Sequence, residues 1–134
     1  MTRRRMNLIV GISALIFGAF IYIFVRVDTH ISKIVCDFFG ISIANQVPIL
    51  CNWDFVRYYL PDALWAFSLA SFVQVILSEF AYSKIISGLI AISCGVAWEF
   101  FQLLNVVSGT GDLMDVLMYL LAGLLSIYIN RKGA

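Results

Sequence analysis

Charge is what this chain has least of. Only 13% of its 134 residues are charged and 62% are hydrophobic, against about 25% charged and roughly half apolar in a soluble domain. That shortfall argues against a water-solvated domain and points to lipid as the solvent for most of the chain. A net charge of +1 leaves no case for nucleic-acid binding, because the few charges are positioned rather than massed. Histidine occurs once, at His30. No ligand partner lies near it in sequence, so it reads as a helix-start residue rather than a metal ligand. Cys36, Cys51 and Cys94 lack the usual zinc spacings. There is no phosphate loop and no nucleophile–histidine pairing, so no metal or cofactor is expected. Low-complexity stretches and internal repeats are also lacking, and residues 1–134 read as a single membrane domain.

What the chain does have is long apolar runs. Met6 to Val25 is 20 residues without a charge, bracketed by Arg3, Arg4, Arg5 and Arg26. At ~1.5 Å rise per residue, such a run crosses a hydrocarbon core of about 30 Å. As a signal peptide its apolar region would be too long, and no A-x-A site follows it. Further spans are expected at about 60–77, 85–104 and 112–129, with Pro61 fitting a first helical turn. The long loop, about 26–59, precedes the second span; the polar turns SEFAYSK and NVVSGTG separate the others. The expected fold class is therefore all-α: an integral membrane four-helix bundle with a short amphipathic helix in its first extracytoplasmic loop.

Orientation follows from Lys and Arg. With the N-terminus inside, six of them (Arg3, Arg4, Arg5, Lys84, Arg131, Lys132) face the cytoplasm and three (Arg26, Lys33, Arg57) lie outside. Both termini are therefore expected in the cytoplasm of a multi-pass protein. In HISKIVCDFFGI, the apolar residues Ile31, Ile34, Val35, Phe38 and Phe39 follow an i, i+3, i+4, i+7, i+8 pattern, opposite Lys33 and Asp37. This helix would lie on the outer membrane surface or lid the bundle, packing against it being the plainer role. Cys36 and Cys51 share this outer loop. They either form a disulfide across a 15-residue separation or are two buried small hydrophobes.

The carboxylates are the informative part. Alternating spans put Asp62 at the outer end of the second, Glu99 and Gln102 in the last two turns of the third, and Asp112 and Asp115 in the first turn of the fourth. Glu99 and Gln102 are i, i+3 and share a face, as do Asp112 and Asp115; Tyr119 continues the latter stripe inward. The short turn makes these helices antiparallel neighbours, so the faces can meet. Charged groups in a bilayer normally face the bundle interior and pair, yet no Lys or Arg lies in the third or fourth span. Arg57 and the loop residues are the nearest cations. Asp62, Asp112 and Asp115 sit near helix N-termini, where capping alone would explain a carboxylate. Glu99 sits near a C-terminus, where capping cannot explain it. Glu99, Gln102 and Asp115 are therefore the core of the candidate polar site.

The E-x-x-Q of WEFFQLL, a glycine-containing turn and the aspartate of GDLMDVLMYLLAG resemble the VanZ-like membrane proteins; Asp62 in LPDALWAFSL is similar to an aspartate those proteins carry on an earlier helix. The resemblance covers roughly residues 59–129. Ala63 and Ala66 stand where the family often has lysine and histidine. Ser108, Gly109 and Thr110 replace a turn arginine, and Tyr119 replaces an asparagine. The resemblance implies a small bacterial cytoplasmic-membrane protein of the cell envelope, linked to lower susceptibility to lipoglycopeptides such as teicoplanin. Its partners would be the bilayer and lipid-linked wall precursors.

Other classes remain open at this point. GTGD, Gly109 to Asp112, matches the short signature of intramembrane aspartyl proteases, whose two carboxyls share a proton, but four short helices leave little room for a substrate helix. A small multidrug exporter would need a glutamate in the first span, which has no charge. An accessory subunit of a larger envelope complex could use Gly11, Gly18, Gly88, Gly95 and Gly123 for helix contacts, within the bundle or with a partner.

Overall fold

The computed structural model describes residues 3–25, 30–40 and 54–131. These residues form six α helices and no strand: α1 (Arg3–Phe24), α2 (His30–Phe39), α3 (Asp54–Tyr58), α4 (Leu60–Ile76), α5 (Ser83–Leu103) and α6 (Leu113–Arg131). Arg4–Phe24 and Ser83–Leu103 are each long and apolar enough to cross a membrane, and Leu60–Ile76 and Leu113–Ile129 are shorter apolar helices. The helices overrun the apolar runs at several ends, α1 through its arginines and α6 to Arg131. An apolar run stops where charge begins, whereas a hydrogen-bonded helix does not have to.

Helix α4 is the centre. It packs against α1 on one side and against α5 and α6 on the other, and α5 packs against α6. Pro61 opens α4, where its missing N–H has no helical partner to lose. The α4–α5 turn is closed by Phe80 N–H donating to Leu77 C=O at 3.0 Å and Ser83 N–H donating to Phe80 C=O at 3.1 Å. Helix α5 ends in a Schellman motif: Asn105 adopts φ 55°, its N–H donates to Gln102 C=O at 2.9 Å, and Val106 N–H donates to Phe101 C=O at 3.0 Å.

The interior is small and polar, and the exterior is apolar. Ala70, Ser68, Ser71, Ser87, Ser126 and Gln74 are buried, while Phe17, Ile16, Leu89, Leu121 and Leu124 are exposed. Ser68 donates to the Gly11 carbonyl at 2.8 Å, tying α4 to α1. Helices α5 and α6 approach closely where Gly88 faces Gly123: a Cβ on either would meet the other's carbonyl oxygen at 3.1 Å.

The amphipathic stretch forms α2, beginning at His30. It touches α1, yet Ile34, Phe38 and Phe39 of its apolar stripe stay exposed, so the bundle does not cover that stripe. Helix α3 was not anticipated from the sequence. The proposed Cys36–Cys51 bridge lies outside the described residues, and Cys94 is a free, exposed thiol on α5.

Candidate functional site

Glu99 is the only carboxylate buried among the described residues, with 3% exposure. At the end of α5 it stands where its own helix presents carbonyl oxygens, an unfavourable place for negative charge. The neighbouring helix supplies the remedy. The backbone N–H of Asp112, just ahead of α6, donates to Glu99 Oε2 at 3.0 Å, so the positive end of α6 meets the anion. Tyr119, about two turns into α6, donates its hydroxyl to Glu99 Oε1 at 3.3 Å. Gln102 satisfies both ends of its amide with the nitrogen facing Glu99 Oε2 (3.3 Å) and Thr110 C=O (3.2 Å), and with the oxygen accepting from Trp98 Nε1 at 2.9 Å. Three donors thus converge on one carboxylate.

Asp112 caps α6 from outside the helix rather than sitting in its first turn. Its Oδ1 accepts from Met114 N–H at 3.0 Å, the geometry of an N-cap. Its Oδ2 accepts from the Tyr59 hydroxyl at 3.3 Å, which bridges to the start of α4. With both oxygens so engaged, the G-x-G-D segment works here as a helix cap. The Asp112 carboxylate beside it pushes the Tyr59 phenol above its ordinary value of 10.0.

Asp62 and Asp115 occupy the first turns of α4 and α6, both half-buried. Asp62, Glu99 and Asp115 all lie within electrostatic reach of the Tyr119 hydroxyl. Asp54, Asp112 and Asp115 lie within reach of Tyr59. One end of the bundle therefore gathers the five acidic residues around two tyrosines. No lysine or arginine lies between Lys84 and Arg131. Arg57, half-buried on α3, has its guanidinium 5.2 Å from the Tyr58 ring centroid. No three His, Cys, Asp or Glu side chains among the described residues are grouped as a metal site requires.

The loop is shaped to the site. Gly109, at φ 144°, has Gln102 so close that a Cβ would meet its side-chain amide at 2.6 Å. On α5, Gly95 lies against the Tyr119 ring. Below the carboxylates, an apolar cavity of 340 Å³ is lined by Leu15, Trp65, Phe72, Ala91, Cys94 and Tyr119, among others. Tyr119 is shared: its ring lines the cavity while its hydroxyl holds Glu99.

Sequence reasoning singled out Glu99, Gln102, Asp112 and Tyr119, and the structure joins them by hydrogen bonds. It missed Tyr59, Asp54 and Trp98. The i, i+4 spacing of Trp98 and Gln102 was a usable signal; for Tyr59 and Asp54 nothing local was.

Compared with known proteins, the chain matches no family model, no curated protein and no solved structure.

Proposed function

We propose that this chain is a multi-pass membrane protein of the bacterial cell envelope, resembling the VanZ-like proteins, whose carboxylate end faces outward and binds a donor-rich head group. In this reading α1, α4, α5 and α6 are the four spans and both termini are cytoplasmic. Support for lipid as the solvent is the inverted partition of side chains, with Ser, Gln and Glu inside and Leu, Ile and Phe outside. In water such an apolar exterior would be an aggregation liability. The spans of 17 and 19 residues reach about 26 and 28 Å at 1.5 Å per residue, a small mismatch that local thinning of the bilayer absorbs. Exposure of Ile34, Phe38 and Phe39 on α2 favours this helix lying on the membrane surface over its capping the bundle.

The observation that carries the ligand class is the arrangement of Asp62, Asp115 and Asp54 around the Tyr59–Asp112 and Tyr119–Glu99 hydrogen bonds. The site is rich in acceptors. It repels phosphate and suits amine, amide or hydroxyl donors, the groups presented by a wall-precursor stem or a lipoglycopeptide. The apolar cavity beneath it has the lining that the acyl chain of a lipoglycopeptide requires. The test is expression in a susceptible Gram-positive host, comparing teicoplanin susceptibility for vector, native chain and Glu99→Gln. Protection by the native chain, lost in a variant that still reaches the membrane, supports the reading; equal protection by the variant makes Glu99 a packing residue.

A second reading, a non-catalytic accessory subunit, is favoured by the three donors that Glu99 already holds within the chain, which make the network a clasp as much as a receptor. The glycines do not add to it. Gly11 faces Ser71, Gly18 faces Trp65, Gly88 faces Ile127, Gly95 faces Tyr119 and Gly123 faces Ile92, all contacts within the bundle. Reproducible co-purification with one larger membrane protein would select this second reading.

A further inference from the structure

The opposite end of the bundle carries a different polar site. Arg4 and Asn7 from α1, Gln74 from α4, Ser78 from the following turn, and Ser83 and Lys84 from α5 line a cavity of 230 Å³. Gln74, Asn7 and Ser83 are buried. The Gln74 side-chain oxygen is shielded and has no hydrogen-bond partner among the described residues. A buried amide carbonyl left unmatched is costly, and such atoms mark places where a ligand or water completes the bonding.

The charge is unmatched too. Arg4 and Lys84 bring two cations to the cavity, and no carboxylate among the described residues lines it. Ser83 and Lys84 form the first turn of α5, whose N-cap Tyr82 makes no side-chain capping bond, so the positive end of a 21-residue helix adds to the field.

We infer that this cavity binds a phosphate group that carries a hydroxyl, with the phosphate between Arg4 and Lys84 and the hydroxyl donating to Gln74. An ammonium head group could also donate to that oxygen, but two cations beside it repel it. Neutral sugars leave both cations unmatched. An anionic glycerophospholipid head group has both required features, as does a free glycerol phosphate. If the basic end is cytoplasmic, the anionic inner leaflet presents the lipid form to this cavity. This site is independent of the carboxylate end and of the function proposed for it.

The experiment uses the purified full chain, with lipid retention read by native mass spectrometry. Phosphatidylglycerol, phosphatidylmethanol (same charge, no hydroxyl) and phosphatidylcholine are offered in competition, and glycerol 3-phosphate is added separately in phosphatidylcholine nanodiscs. Phosphatidylglycerol is expected to be retained best, and each of Arg4→Gln and Lys84→Gln to lower its retention about fivefold, the effect of one lost basic contact. Gln74→Leu, which keeps the charge, should erase the preference for phosphatidylglycerol over phosphatidylmethanol. A thermal melt on each variant verifies that it is folded. Binding of glycerol 3-phosphate without anionic lipid, lost in the same three variants, would support the site and assign it a soluble phosphate. Equal retention of phosphatidylglycerol and phosphatidylcholine with no glycerol 3-phosphate binding would overturn the inference, as would retention unchanged by all three substitutions in folded protein.

Discussion

The backbone N–H of Asp112 donates to the Glu99 carboxylate at 3.0 Å, so the acid at the negative end of α5 is neutralised by the positive end of α6. This single contact locks the α5–α6 hairpin at its loop end. It also explains how a carboxylate with 3% exposure persists with no lysine or arginine between Lys84 and Arg131.

Replacing Glu99 by Gln keeps the volume but turns an acceptor-only group into one that must present a donor to Asp112 N–H or to Tyr119 O–H. The expected loss is about 1–3 kcal/mol, the cost of leaving a buried group poorly matched. Tyr119→Phe should cost less, and the double variant less than the two singles together, because both remove the same bond. Detergent-resolved unfolding of the four proteins measures this; strict additivity would show that the two side chains do not interact.

Gly95→Ala should destabilise the bundle by about 1–3 kcal/mol, the usual cost of overpacking. The added methyl would overlap the ring of Tyr119, which cannot turn aside without releasing Glu99. A variant as stable as the native chain would mean that α5 and α6 can separate freely here.

The Tyr59 phenol, raised by Asp112, sets a pH dependence at the alkaline end. A group whose pKa is higher when folded contributes its stability fully below the unfolded value of 10.0, and loses it as pH rises through the folded value. The ultraviolet phenolate titration of native protein minus Tyr59→Phe should therefore show one tyrosine ionising above the ordinary range. Asp112→Asn should move that component down; if it stays put, Asp112 is not the cause.

Ser108 is exposed in the α5–α6 loop. In a chain whose native cysteines are replaced by serine, Ser108→Cys should react with a membrane-impermeant maleimide in intact cells. Labelling only after lysis would invert the proposed orientation and place the carboxylate end in the cytoplasm.

Particular residues show how far the sequence could be read. The i, i+3 spacing of Glu99 and Gln102 put them on one face, and the short turn brought Asp112 beside that face, because both relations are local. Asp112 was expected inside α6 and lies one residue before it: helix termini depend on the cap that forms, and Asp112 is that cap. Helix α3 spans only five residues, too few for a periodic signal.

By itself the sequence determined the all-helical class, the presence of four apolar helices and the amphipathic α2. It also determined that the acids would gather at one helix end. Each of these follows from runs, periods and alternation along one dimension. Only the tertiary structure decided which donors reach Glu99, that Tyr59 bridges α4 to Asp112, that Gly95 seats Tyr119, and that Arg4, Gln74 and Lys84 share a cavity. A hydrogen bond is a condition on distances near 3 Å between residues far apart in the chain. Helical periodicity specifies a face but not the rotation, height and crossing of the helices that bring two faces into contact.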